Sequence, residues 1–98
     1  MMWILASDDP SAGGVTFQLP VGAVKTIGRS TGAEFIVEAP LVSRLHCQLT
    51  ARADGVHVKD LDSTNGTFVN GTRVKTAEMS EGDRLSVGRL ELVISRRP

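Results

Sequence analysis

Glycine-centred turns recur along the chain at short intervals. Leu19-Pro20-Val21-Gly22, Ser30-Thr31-Gly32, Ala53-Asp54-Gly55, Asn65-Gly66, Asn70-Gly71, Glu81-Gly82-Asp83 and Val87-Gly88 each read as a turn or loop, as does Ser11-Ala12-Gly13-Gly14. No window of ten residues therefore sustains the i, i+3, i+4, i+7 spacing of an amphipathic helix without an internal glycine or proline. The apolar runs between the turns are short: Met2 to Ala6, Val15 to Leu19, Val24 to Ile27, Phe35 to Val37, His46 to Arg52, Val56 to Lys59, Thr67 to Val69, Arg84 to Val87 and Leu90 to Ser95. Several alternate. Val56 and Val58 flank His57, Cys47 and Leu49 flank Gln48, and Leu90, Leu92 and Ile94 stand two apart. Successive strand residues point to opposite faces, so each pattern turns one apolar stripe inward. Short strands broken by glycine turns indicate an all-β sandwich or barrel.

Composition narrows the possible functions. Ninety-eight residues with 41% hydrophobic and 22% charged side chains make room for one globular domain, 1–98, and none for a deep two-domain cleft. The basic end at Arg96-Arg97-Pro98 is where a longer protein would continue, with this domain at its N-terminus. Eleven basic residues balance eleven acidic ones, so the basic excess of a nucleic-acid surface is missing. No apolar run approaches the roughly 18 residues of a membrane helix, and Asp8-Asp9-Pro10 ends the N-terminal run too early for a signal peptide. The single Cys47 excludes an internal disulfide. These features together predict an intracellular protein without membrane or nucleic-acid partners.

Three loops hold the unusual residues: Thr26-Ile27-Gly28-Arg29-Ser30, Leu41-Val42-Ser43-Arg44-Leu45-His46-Cys47, and Asp60 to Gly71. A hairpin tip needs only Asn-Gly, whereas Ser63, Thr64, Asn65 and Thr67 crowd around Gly66. Arg29 and Arg44 are permanent fork-shaped donors, Ser43, Ser63 and Thr64 offer hydroxyls, and Asn65 offers an amide that donates and accepts. This set suits an oxyanion such as a phosphate.

Gly28-Arg29, then Ser43-Arg44-Leu45-His46, then Asp62-Ser63-Thr64-Asn65-Gly66-Thr67-Phe68-Val69-Asn70-Gly71 resembles a forkhead-associated (FHA) domain, with the motifs in that family's order. The resemblance spans nearly the whole chain. It implies a β-sandwich of about eleven short strands, FHA/SMAD-like, with binding loops at one end. It also implies phosphothreonine-dependent recognition of peptides phosphorylated by Ser/Thr kinases. Arg29, Ser43 and Thr64 would hold the phosphate and Asn65 the peptide backbone, while Arg44 would reach either. Gly28, His46, Gly66 and Asn70 would be architectural supports of the site. The segments Ser30 to Ala33, Glu38 to Val42 and Asn70 to Thr72 would read the flanking residues. Leu41 stands where some relatives carry a base that reads an acidic residue, so its apolar side chain predicts no acidic preference.

Arg29 as a strand-end ion-pair partner and Ser43, Thr64 and Asn65 as ordinary turn residues explain each motif singly but not all three in order. His46 reads as a support that pins the Ser43 loop, because no nucleophile elbow or oxyanion loop accompanies it. His46 and Cys47 are adjacent and His57 lacks ligand spacing, so no metal or other cofactor is expected. Cys47 and Trp3 read as core. Phe17, Phe35 and Phe68 are too scattered for a base-stacking platform. The expectation is a non-enzymatic phosphopeptide adaptor. The alternative is the same fold binding its partner through another face, independently of phosphate.

Overall fold

The apolar runs are strands, and they pack face to face as two sheets. The computed structural model describes residues 1–7 and 15–98, so the turn expected at Ser11 to Gly14 lies outside the described residues. In chain order the strands are β1 (Met2–Ala6), β2 (Thr16–Pro20), β3 (Val24–Gly28), β4 (Phe35–Ile36), β5 (Cys47–Arg52), β6 (Gly55–Asp60), β7 (Thr67–Val69), β8 (Thr72–Val74), β9 (Thr76–Met79), β10 (Arg84–Val87) and β11 (Leu90–Arg97). One sheet runs β2-β1-β11-β10-β7-β8, the other β4-β3-β5-β6-β9. The all-β sandwich expected from the sequence is therefore the fold.

Inward residues follow the period of two. Leu90, Leu92 and Ile94 on β11 are buried and Glu91 between them is exposed. They meet Leu49, Val56 and Val58 of the facing sheet in one core that also holds Trp3, Leu5, Leu19, Ile27 and Leu85. Each fully buried Leu or Ile contributes about 1.5–3 kcal/mol. Trp3 satisfies its indole N–H on the Arg52 carbonyl at 2.8 Å. Cys47 is also fully buried. Phe17 and Phe35, far apart in sequence, stack at 4.4 Å between centroids. Their strands β2 and β4 are the edge strands of the two sheets, so the ring pair closes that side of the sandwich.

Two strands carry no apolar run in the sequence. β8 and β9 occupy a polar stretch in which only Met79 is buried. Each is the outer strand of its sheet, so neither needs the apolar stripe by which inner strands are recognised.

The registers bring the connections of interest to one end. Ile27 pairs with Cys47, Cys47 with Asp60, and Thr67 with both Val74 and Val87. The β3–β4, β4–β5, β6–β7, β8–β9 and β10–β11 connections therefore emerge together. The Asn70-Gly71 turn and the turn at 80–83 lie at the opposite end. The β3–β4 link is unusual. These neighbours are parallel, yet six residues join them, where a crossover normally needs a dozen or more. β4 has only two residues, which lets the chain turn back so soon.

Candidate functional site

The site starts from a missing side chain. A Cβ on Gly28 would lie 2.0 Å from the Arg44 carbonyl oxygen and 2.8 Å from its carbon. The φ of Gly28 is not positive, so glycine is needed here for close approach and not for conformation. That approach lets residues 43–46 lie along the end of β3. His46 N–H donates to the Ile27 carbonyl at 2.8 Å, Arg29 N–H to Ser43 at 2.9 Å and Ser30 N–H to Arg44 at 3.1 Å.

His46 then joins two loops. Ser43 N–H donates to Nδ1 at 3.1 Å, and Nε2 lies 2.8 Å from the Gly66 carbonyl. A ring nitrogen that accepts an N–H carries no proton of its own, so the proton sits on Nε2 and is donated to Gly66. The ring is wholly buried and both nitrogens are committed to backbone groups. It is a clamp between the β4–β5 and β6–β7 loops and has no free nitrogen for acid–base chemistry.

Asp60 organises the second loop from beneath. Its carboxylate accepts from the Ser63 hydroxyl at 2.5 Å, the Ser63 N–H at 3.1 Å and the Thr67 hydroxyl at 2.7 Å. Ser63 Oγ in turn accepts Gly66 N–H at 3.0 Å. Burial pushes the Asp60 carboxyl up, but the hydrogen bonds from Ser63 and Thr67 outweigh it and hold it below its ordinary value. Ser63 is therefore a buried scaffold residue, not one of the outward hydroxyls that the sequence suggested. This network was invisible in the motif reading. Its one signal is an aspartate three residues before a serine at the loop entrance.

On this frame the outward groups are each fixed by one backbone bond and keep others free. Arg29 is exposed and donates Nε–H to the Val42 carbonyl at 3.0 Å, a bond that leaves its two terminal nitrogens uncommitted. Ser43 Oγ accepts Thr64 N–H at 3.0 Å, leaving its own O–H to donate. Asn65 donates one amide hydrogen to the Leu41 carbonyl at 3.0 Å and keeps its oxygen and second hydrogen. Arg44 and Thr64 are exposed beside them. Among the described residues, the ion pairs engage Arg52, His57 and Arg84, and none engages Arg29 or Arg44. The arrangement is an open, donor-rich surface of fixed geometry around Arg29, Ser43, Thr64 and Asn65. Among the described residues, no cluster of three or more His, Cys, Asp or Glu side chains could hold a metal ion.

Gly66 has a φ of +92°, and a Cβ there would meet the Arg73 guanidinium at 2.7 Å. Arg73, on β8, is thus a cation beside the cluster that the motif reading did not include. Asn70 stands elsewhere. It has a φ of +51° and braces the far turn through Asp83 at 3.1 Å and Arg84 N–H at 2.9 Å. Three residues of β7 separate it from the cluster, so it supports the β7–β8 turn and not the site. The Asn70 to Thr72 segment is removed from the reading loops for the same reason.

The comparisons with known proteins agree with this geometry. The family model for the FHA domain matches residues 25–88. The chain is 40% identical over 83 residues to the ABC transporter ATP-binding/permease protein Rv1747 of Mycobacterium tuberculosis, covering 85% of this chain and 10% of that protein. It is 36% identical to the FHA domain-containing protein FhaA of the same organism, covering 92% of this chain and 16% of FhaA. The chain thus spans only a small part of these relatives. Among solved structures, one from a structural and functional analysis of phosphothreonine-dependent FHA domain interactions superposes with a TM-score of 0.88 at 34% identity, covering 100% of this chain and 99% of that one. The FhaA FHA domain complexed with the intracellular domain of Rv3910 superposes with a TM-score of 0.83 at 35% identity, covering 94% and 98%. With the Gly28, Ser43–His46 and Asn65-Gly66 motifs interlocked at one end of the sandwich, the chain belongs to the FHA domain family.

Proposed function

We propose that this chain, as one domain over 1–98, binds peptides phosphorylated on threonine by Ser/Thr kinases and catalyses nothing. The observation that carries the reading is the set of half-used donors. Arg29, Ser43 and Asn65 each spend one polar contact on the neighbouring loop and hold the rest outward. Such groups are already oriented when a ligand arrives, so little ordering entropy opposes binding. The Arg29 fork and the Ser43 hydroxyl suit the oxygens of a phosphate dianion, joined by Thr64, while the exposed Arg44 suits either the phosphate or the peptide main chain. Asn65, with both a donor and an acceptor left, suits the peptide main chain. Relatives studied for phosphothreonine-dependent interactions support the reading. It places the protein where kinases act, inside the cell, as a partner of phosphorylated proteins rather than of nucleic acid or membrane, and without a cofactor.

Charge-assisted hydrogen bonds contribute about 1.5–3 kcal/mol each, and a few of them on a small open surface lead to micromolar affinity, on the order of −8 kcal/mol. The test is calorimetric titration of a phosphothreonine peptide selected from an oriented library. Arg29→Ala should cost about 2–5 kcal/mol, because one member of a charge pair is removed. Arg29→Lys should fail to restore binding, since an ammonium cannot reproduce the fork. Asn65→Ala should cost about 1–3 kcal/mol. Binding that ignores phosphorylation, or Arg29→Ala at wild-type affinity, would leave recognition through another face as the better account.

A further inference from the structure

The chain holds the same dipeptide twice, Asn65-Gly66 in the candidate site and Asn70-Gly71 at the far end of the sandwich. An asparagine followed by glycine is chemically unstable, because no Cβ shields the glycine nitrogen from the asparagine side chain. In the reaction that nitrogen attacks Cγ, a ring closes, and the side-chain nitrogen leaves as ammonia with the proton of the glycine N–H. Water then opens the ring to aspartate, or to isoaspartate, in which the main chain runs through the side-chain carbonyl. Resting on the role given to Asn65 above, we infer that Asn65 is an uncatalysed self-modification site, which the Ser63 hydroxyl holds inactive and whose conversion ends phosphopeptide binding.

The two dipeptides are restrained from opposite sides. At 65 the attacking nitrogen is held. Gly66 N–H donates to Ser63 Oγ at 3.0 Å, and Asp60 fixes Ser63 through its hydroxyl at 2.5 Å and its N–H at 3.1 Å. Gly66 is also buried, with Arg73 Nε 2.7 Å from where its Cβ would lie. The side chain is less restrained: Asn65 is exposed, and its Nδ2 alone is tied, to the Leu41 carbonyl at 3.0 Å. At 70 the side chain is held instead. Asn70 Nδ2 donates to Asp83 at 3.1 Å and Oδ1 accepts Arg84 N–H at 2.9 Å, while Gly71 is exposed. Conversion at 65 therefore waits for an opening of the β6–β7 loop that frees Gly66 N–H, an event of the kind that limits hydrogen exchange. The product does not suit the site. Aspartate has no N–H for the Leu41 carbonyl or the peptide main chain, and it sets a negative charge beside the phosphate. Isoaspartate also lengthens the loop backbone. A bound peptide that pairs with Asn65 favours the closed loop, so an occupied site is protected.

The test is incubation of the protein at mildly alkaline pH, with peptide mapping by mass spectrometry to assign conversion to residue 65 or 70. Conversion at Asn65 should be about tenfold or more slower in the native chain than in urea. Ser63→Ala should raise the native rate at Asn65 about fivefold, the effect of one lost hydrogen bond, and leave Asn70 unchanged. Asp83→Ala should do the reverse. A saturating phosphothreonine peptide should slow Asn65 in wild type, and Asn65→Asp should not bind that peptide. Circular dichroism checks that the variants are folded, and hydrogen exchange in wild type gives a reading free of substitution: the Gly66 amide should exchange slowly and that of Gly71 fast. Equal Asn65 rates in native and urea-unfolded chain, equal rates in folded Ser63→Ala and wild type, or fast exchange at Gly66 overturn the control by Ser63. Wild-type affinity in Asn65→Asp overturns the loss of binding. Failure of fresh wild type to distinguish phosphorylated from unphosphorylated peptide is a separate result, which overturns the phosphopeptide reading itself.

Discussion

Replacing Gly28 by alanine adds a single methyl group, yet it should damage both stability and binding. The new Cβ would lie 2.0 Å from Arg44 O and 2.8 Å from Arg44 C. A carbon and a non-bonded oxygen settle near 3.3–3.6 Å even in favourable C–H contacts, so one backbone must move by more than about 1 Å. The atoms in the way are main chain and cannot rotate aside. The bonds flanking the contact, Arg29 N–H to Ser43 at 2.9 Å and Ser30 N–H to Arg44 at 3.1 Å, are the ones that such a shift stretches. Losing two of them costs about 1 kcal/mol each, and overpacking adds about 1–3 kcal/mol. The expected destabilisation is about 3–5 kcal/mol, against a typical total of roughly 5–15. The variant should therefore remain mostly folded at low temperature, with a lowered urea midpoint and a nearly unchanged m-value. Phosphothreonine-peptide affinity should fall by tenfold or more, on the order of 1.4 kcal/mol, because Ser43 leaves its place between His46 and Thr64. Urea denaturation and calorimetric titration of the same preparation give the two numbers. Wild-type values for both would refute the claim that close approach of these backbones builds the site.

Three further outcomes are expected. Phosphothreonine should bind about tenfold better than phosphoserine in one peptide, since a buried methyl contributes about 0.8 kcal/mol and an unfilled cavity adds to the loss; equal affinities in paired titrations would contradict this. Asp60 titrates lower in the folded chain than in the unfolded one, so its contribution is present above the ordinary carboxylate value near 3.8 and is lost as pH falls through the folded value; denaturation midpoints measured from pH 6 downward should drop less steeply in Asp60→Asn than in wild type, and parallel curves would exclude the Ser63–Thr67 network as the cause. Burial pushes the Cys47 thiol up to about 12, with the Asp60 charge adding to it and the Thr67 contact opposing it; an aromatic disulfide reagent should label Cys47 only at the rate of unfolding, and stoichiometric labelling of the native protein within minutes would contradict its burial.

Local chemistry determined much of this protein. Turns such as Asn70-Gly71 and the alternation Leu90, Leu92, Ile94 report, within a few residues, where the chain reverses and which face meets a core. They were sufficient for an all-β sandwich or barrel, the FHA resemblance selected the sandwich, and the ordered motifs around Gly28, Ser43 and Asn65 marked the loops that the fold gathers at one end. What depended on distant pairing was not legible. β8 and β9 are edge strands with little to bury, so they left no apolar pattern. Ser63 looked like an outward hydroxyl, but Asp60 beneath it draws it inward. The FHA resemblance cast Asn70 as an architectural support of the site, yet a strand carries it to the opposite end, where it braces Arg84. Periodicity reports what a residue does to its own strand. Which loops touch is decided by how two sheets stack, through contacts between residues far apart in the chain.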